Sequence, residues 1–285
     1  MPESAAEDTS AAGEESSPTL GSTAAAEEST TPDVGDTTDA APADYPTHES
    51  CEDTGDGYDV PEDDGMEDGS TGSAEETGVG MGDDIPLGAT VFTVRQGYVP
   101  AGTWVELRDV VISSPVANDE EGSAMVFAQS PKGGMFSGIT LVFQEPSVAA
   151  TLAIGDRVRV TGRVGERYVF TAIFVDLGAD AVVHDGAAAV PDPVVLTPEE
   201  LEPGAPAAEA YESALVRVEN PQVERPQSCA GEFIVDAGLG VDDLFLGDAA
   251  PNPAAGDTFS AVTGPLRYTY NGFEIAPRSA GDVEP

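Results

Sequence analysis

Two stretches decide the fold: Gly155-Asp156-Arg157-Val158-Arg159-Val160-Thr161-Gly162, and its return as Gly256-Asp257-Thr258-Phe259-Ser260-Ala261-Val262-Thr263-Gly264. An isoleucine follows each closing glycine at the same interval, Ile173 and Ile275. Self-similarity about a hundred residues apart means two copies of one small domain. The second stretch holds one residue more than the first, which a β-bulge would absorb.

Working outward, the first copy reads as short β-branched strands with glycine corners. Thr90 to Gly97 predicts a strand, Tyr98 to Gly102 a turn, and Thr103 to Ser113 a long strand in which Val105 and Leu107 alternate with Glu106 and Arg108. Ala124 to Gln129, Ile139 to Phe143, Arg157 to Val164 and Tyr168 to Val175 supply the rest. In the second copy Ala214 to Val218 repeats Thr103 to Leu107, with Asn220 in the place of Asp109, where a strand can bend. Phe233 to Val235, Val241 to Leu246 and Thr258 to Gly264 follow as strands. Asn271-Gly272 between Leu266–Tyr270 and Phe273–Ile275 predicts a type I′ hairpin. Thr197-Pro198-Glu199-Glu200-Leu201 reads as a capped helical turn, and no other segment of the globular part shows a helical period.

The fold class expected is therefore all-β: two tandem five-stranded barrels behind a disordered acidic leader. The boundaries are 1–85 for the leader, 86–185 for the first barrel, 186–204 for a linker and 205–285 for the second barrel. The leader carries 25 of the 53 acidic residues and no Lys or Arg, and it is otherwise rich in Ser, Thr, Ala, Gly and Pro. Such a segment buries too little apolar area to offset the entropy of ordering it. The remainder holds all eleven basic residues against 28 acidic ones, a net −17 within a chain of net −42.

An acidic balance of this size repels nucleic acid and anionic membrane surfaces. Two cysteines, Cys51 and Cys229, exclude a disulfide framework and a cysteine-rich zinc site; they are either two free thiols or one tail-to-domain disulfide. Residues 1–10 show no basic start and no apolar run, and no window has the length of a membrane span. With Met1 as the true start the chain is cytoplasmic. The leader, however, has the composition of a stalk, and extracytoplasmic display, secreted or cell-surface anchored, is the expectation if a signal precedes Met1.

The strands Arg95-Gln96-Gly97, Phe127-Ala128-Gln129-Ser130-Pro131, Ser137-Gly138-Ile139 and Gly155-Asp156 with Thr161-Gly162 resemble the OB-fold repeats of secreted bacterial proteins. Leu215 to Asn220, Val241-Asp242-Asp243 and Pro277 to Ala280 are similar in the second copy. The resemblance covers nearly all of 86–285. Such repeats accompany extracellular nucleases and also stand alone in surface lipoproteins, and the nuclease chemistry of that family sits in a separate domain absent here. The resemblance implies a fold and a binding role rather than an activity.

Catalysis by metal-assisted hydrolysis or by a serine triad needs a histidine or comparable base, and only His48 and His184 exist. His48 lies in the leader, and His184 beside Asp185-Gly186 reads as a surface turn. No catalytic residue, metal site or cofactor is assigned. Asp53, Asp56 and Asp59 fail the EF-hand template, and Asp242, Asp243 and Asp248 read as a solvated charge run.

Arg157, Arg159, Arg163 and Arg167 place four cations inside eleven positions. With Tyr168 and with Phe127 or Phe143 they suggest a small anion-and-stacking site; alternatively they offset neighbouring carboxylates. In the second copy Tyr268, Tyr270 and Phe273 either form a stacking platform or pack across their hairpin. Trp104 is open to both readings as well. The expectation is a monomeric, non-catalytic module for a protein or carbohydrate partner, with accessory single-stranded nucleic-acid binding as the alternative.

Overall fold

The computed structural model describes residues 86–118, 122–167, 170–228, 231–269 and 272–285. The leader 1–85, both cysteines, Tyr168, Tyr270 and the Asn271 turn position lie outside them, and with these the expectations of disorder, thiol pairing and turn type.

The chain is all-β with a few short helices. It starts with β1 (Leu87–Ala89), which runs parallel to the start of β2 (Trp104–Ile112). Then come β3 (Ala117–Asn118), β4 (Ala124–Gln129), β5 (Gly138–Phe143), β6 (Asp156–Arg167), β7 (Phe170–Val175) and β8 (Val182–Ala187). Strand β2 pairs with β4 at Val111 and Ile112 and with β6 from Trp104 to Val111; β4 pairs with β5, β5 runs parallel to β7, and β7 returns to β6. The five strands β2, β4, β5, β7 and β6 thus close a ring. Strand β2 serves two neighbours because it bends at Asp109, at φ +60, where the register slips between Leu107 and Val110.

The second lobe repeats this plan. Strand β9 (Val194–Val195) lies parallel to β10 (Leu215–Glu219), as β1 does to β2. Strands β10 and β11 (Val223–Arg225) are one path interrupted at Asn220, at φ +53, the counterpart of Asp109. Strand β12 (Phe233–Val235) pairs with β11 and with β13 (Leu239–Val241). Parallel pairing of β13 with β15 (Gly272–Ile275), and antiparallel pairing of β14 (Ala261–Thr269) with β15 and β10, complete the order. Strand β16 (Val283–Glu284) adds to β14 as β8 adds to β6.

Period-two patterning accounts for the interior. Val105, Leu107, Val158, Val160, Leu141, Phe143 and Ile173 fill the first ring; Val216, Val218, Phe233, Val235, Val262, Leu266 and Ile275 fill the second. Each such side chain removed from water contributes about 1.5–3 kcal/mol.

Five expectations fail. Thr90 to Gly97 is not a strand: Val91–Arg95 forms a helix, α1, because Thr90 and Thr93 make a capping box and Gly97, at φ +74, ends it. Two more short helices, α2 (Pro146–Ala149) and α3 (Pro206–Tyr211), each start with a proline. The run Val241 to Leu246 leaves the sheet at Asp242, whose Oδ1 accepts from the Leu244 N–H at 2.8 Å and makes a turn. Thr258 to Gly264 enters the ladder only at Ala261. The stretch 186–204 is more than a linker, because Gly186 and Ala187 finish β8 and β9 opens the second sheet. Val194, Leu196 and Leu201 pack into the second core. Thr197 and Glu200 do form the expected cap, on a 3-10 turn.

Candidate functional site

On β4 the core side chains Ala124, Val126 and Ala128 alternate with Met125, Phe127 and Gln129, which point outward; on β5 the outward set is Gly138, Thr140 and Val142. This outer face is where an OB barrel would take a ligand, across its second and third strands. Here the second lobe covers it. The Leu215 N–H donates to Gln129 Oε1 at 3.1 Å, Thr140 Oγ1 lies 2.9 Å from Ser213 Oγ, and the Phe136 N–H donates to the Ala210 carbonyl at 2.6 Å. A side chain at Gly138 would stand 2.2 Å from the Ser213 carbonyl carbon and the Ala214 nitrogen, so only glycine allows this approach. Leu244 and Phe245 close the other end against Ala117, Met125 and Phe127, with Phe245 edge-on to Phe127 at 6.2 Å.

Beside this seam a buried ion pair links the lobes. Arg95 Nη1 donates to Glu212 Oε1 at 2.8 Å and Arg95 Nη2 donates to the Glu209 carbonyl at 2.8 Å; the side chains of Arg95 and Glu212 are 0% and 2% exposed. Burial pushes the Glu212 carboxyl up to about 7, against the pull of Arg95 and of the Thr171 N–H.

Of the nine candidate residues Tyr168 and Tyr270 lie outside the described residues, and the structure does not bring the other seven together. Phe127 and Phe143 are 1% and 0% exposed, the first under Phe245 and the second in the core, so neither offers an open ring face. Arg157 Nε lies 2.7 Å from Asp109 Oδ1, and Arg159 Nε donates to Asp185 Oδ2 at 2.9 Å. Both cations therefore face carboxylates. Arg167 ends β6 opposite Phe170 in the hairpin. In the second lobe Tyr268 packs edge-on against Phe273 at 4.9 Å, on the core side of the hairpin. His184 is a strand residue on β8, paired with Val158, rather than a turn residue, and its Nδ1 is 3.7 Å from Asp156.

Asp242 is engaged by Arg267 at 2.5 Å, and among the described residues no set of three or more His, Cys, Asp or Glu is arranged to hold a metal. Glu274, on the outer face beside Arg267, is held well above the carboxylate range by burial and by a hydrogen bond with Glu232. A proton on that pair lowers the charge the site must keep out of water.

A different surface is open. Trp104, Arg163 and Phe174 occupy facing positions on β2, β6 and β7, each flanked by core residues that fix its outward direction. The row continues through Val142 and Met125. Trp104 and Phe174 are half-buried and Arg163 is exposed. The guanidinium lies over the indole at 4.4 Å and its Nη1 donates to the Gly102 carbonyl at 3.3 Å. No described carboxylate stands within ion-pair distance of Arg163. The Phe174 ring lies against Gly165, where a side chain would sit 2.7 Å from it. Strand parity alone assigns Trp104 and Arg163 to the outer face; their adjacency needs the β2–β6 register, which the sequence does not carry.

No model of a known protein family matches this chain, and no curated protein matches it. Among solved structures, the tetrameric p202 HIN2 is similar at 13% identity over 62% of this chain and 88% of that one, with a TM-score of 0.29. The p204 HINb domain is similar at 11% over 59% and 94%, with a TM-score of 0.25. A murine DNA binding protein bound with double-stranded DNA is similar at 9% over 59% and 94%, also with a TM-score of 0.25. Likeness at this level carries no functional argument.

Proposed function

We propose that this chain is a binding module without a catalytic centre, built of two OB-like barrels fused into one body and displayed outside the cytoplasm on its acidic leader. The closed five-strand ring, with β5 parallel to β7, and its recurrence in the second lobe support the barrel assignment. The observation that carries the binding role is Arg163, a cation held on Trp104 and facing no carboxylate among the described residues, in a region of net −17. Its ligand is a protein or carbohydrate, since a polyanion meets the repulsion of the whole body.

The second reading is single-stranded nucleic acid, which the pairing of aromatic rings with an arginine favours locally. Trp104 is the sole tryptophan, so its fluorescence reports on this surface. Titration of the full chain with oligosaccharides and with single-stranded oligonucleotides at moderate salt separates the two. Saccharide binding that Arg163→Ala weakens at least tenfold is expected. Strand binding that steepens as salt falls selects the second reading instead, and turnover of a bound ligand overturns the non-catalytic one.

A further inference from the structure

The Trp104–Arg163–Phe174 row has the dimensions and chemistry of a site for one small ring. Adjacent strands lie about 4.8 Å apart, so three facing positions span roughly 10 Å, a length that one or two sugar rings cover. Arg163 cannot swing freely: the indole holds one face of its guanidinium and the Gly102 carbonyl takes one N–H. The neighbouring outward carboxylate on β2, Glu106, is already joined to Arg108. The Phe174 ring, against Gly165, is an apolar surface at the other end of the row.

A positive charge between two ring surfaces, unmatched among the described residues, asks for a ring that carries one negative charge. The charge of the whole body limits how many: one carboxylate at contact distance gains from Arg163, whereas each further phosphate meets the net −17 field. We propose that this row binds a carboxylate-bearing sugar residue, with its carboxylate on Arg163 and its apolar face on Phe174. This rests on the binding function proposed above and assigns the ligand class for that surface.

The probes are methyl β-D-glucuronide, methyl β-D-glucoside, which differs from it by the carboxylate, and uridine monophosphate. Each is titrated into the full chain by Trp104 fluorescence and by calorimetry. The glucuronide should bind at least tenfold more tightly than the glucoside. Arg163→Gln should erase that preference, and Phe174→Leu should weaken binding of the glucuronide severalfold. Arg163 is exposed and, among the described residues, makes one hydrogen bond and the contact with Trp104, so the Arg163→Gln protein should melt close to the parent. Equal binding of the two glycosides, or an Arg163→Gln protein that still prefers the glucuronide, overturns the proposal. Tighter binding of the nucleotide overturns the sugar assignment while leaving a ligand at this surface. Silence toward all three probes in a chain that captures another ligand overturns the row as a sugar site and leaves the module a binding protein.

Discussion

Glu212 shows how a single side chain ties the two lobes to solution pH. Its carboxyl is raised from 4.5 to about 7, chiefly by burial, so the folded chain binds this proton more tightly than the unfolded chain does. Its contribution to stability is then complete below pH 4.5, and it is lost as pH climbs through about 7. Replacement by glutamine keeps a hydrogen-bonding group beside Arg95 and removes the titration. The stability of the parent relative to Glu212→Gln should therefore fall between these pH values, by a change on the order of 3 kcal/mol. Urea unfolding of both proteins at several pH values measures this; parallel curves would remove the assignment. Nothing in the sequence marked Glu212, one of many glutamates, because burial by a distant segment leaves no local signature. Asp109 and Asn220 were legible, since short polar residues tolerate positive φ where a strand must bend.

At the scale of elements, each lobe starts with a short parallel strand and then a threonine cap: Thr90 closes on Thr93 ahead of α1, and Thr197 closes on Glu200 ahead of a 3-10 turn. Thr90→Ala and Thr197→Ala should each destabilise the chain by about 1 kcal/mol, read as a shift in denaturation midpoint at unchanged slope. These paired caps extend the repeat upstream of what sequence similarity reveals. The Gly-Asp to Thr-Gly stretch was readable because both ends of a buried strand are constrained, by turn geometry and by core volume. The first cap was hidden because Thr90-Val-Phe-Thr-Val has strand composition and its helix is decided by two side-chain hydrogen bonds. The candidate site was the least legible part. Parity gives the face of each residue, but neighbours across strands depend on register. Phe127 was selected for a face that packing had already taken.

Across the whole molecule, Gly138, the Phe127 patch and the Arg95–Glu212 pair make the two lobes one cooperative body. A single unfolding transition is expected, with fluorescence and circular dichroism coincident. Gly138→Val would drive a side chain into the backbone of Ser213 and Ala214, and should split that transition in two. A single transition retained in the variant would show that the seam does not couple the lobes. The seam is also head-to-tail: the sheet face of the first lobe meets the Ala210 to Leu215 segment and the Leu244–Phe245 turn of the second, and no matching patch is exchanged. A contact of that kind has no built-in end, and repeated once more it would seat a third barrel on the outer face of β12 and β13. There Glu274 lies over Gly240 and is hydrogen-bonded with Glu232, while Asp242 is paired with Arg267, in place of the apolar and hydroxyl groups of the first face. Any lobe seated there would have to bury a cluster of carboxyl groups, a cost that the apolar and hydroxyl groups of the first face do not impose.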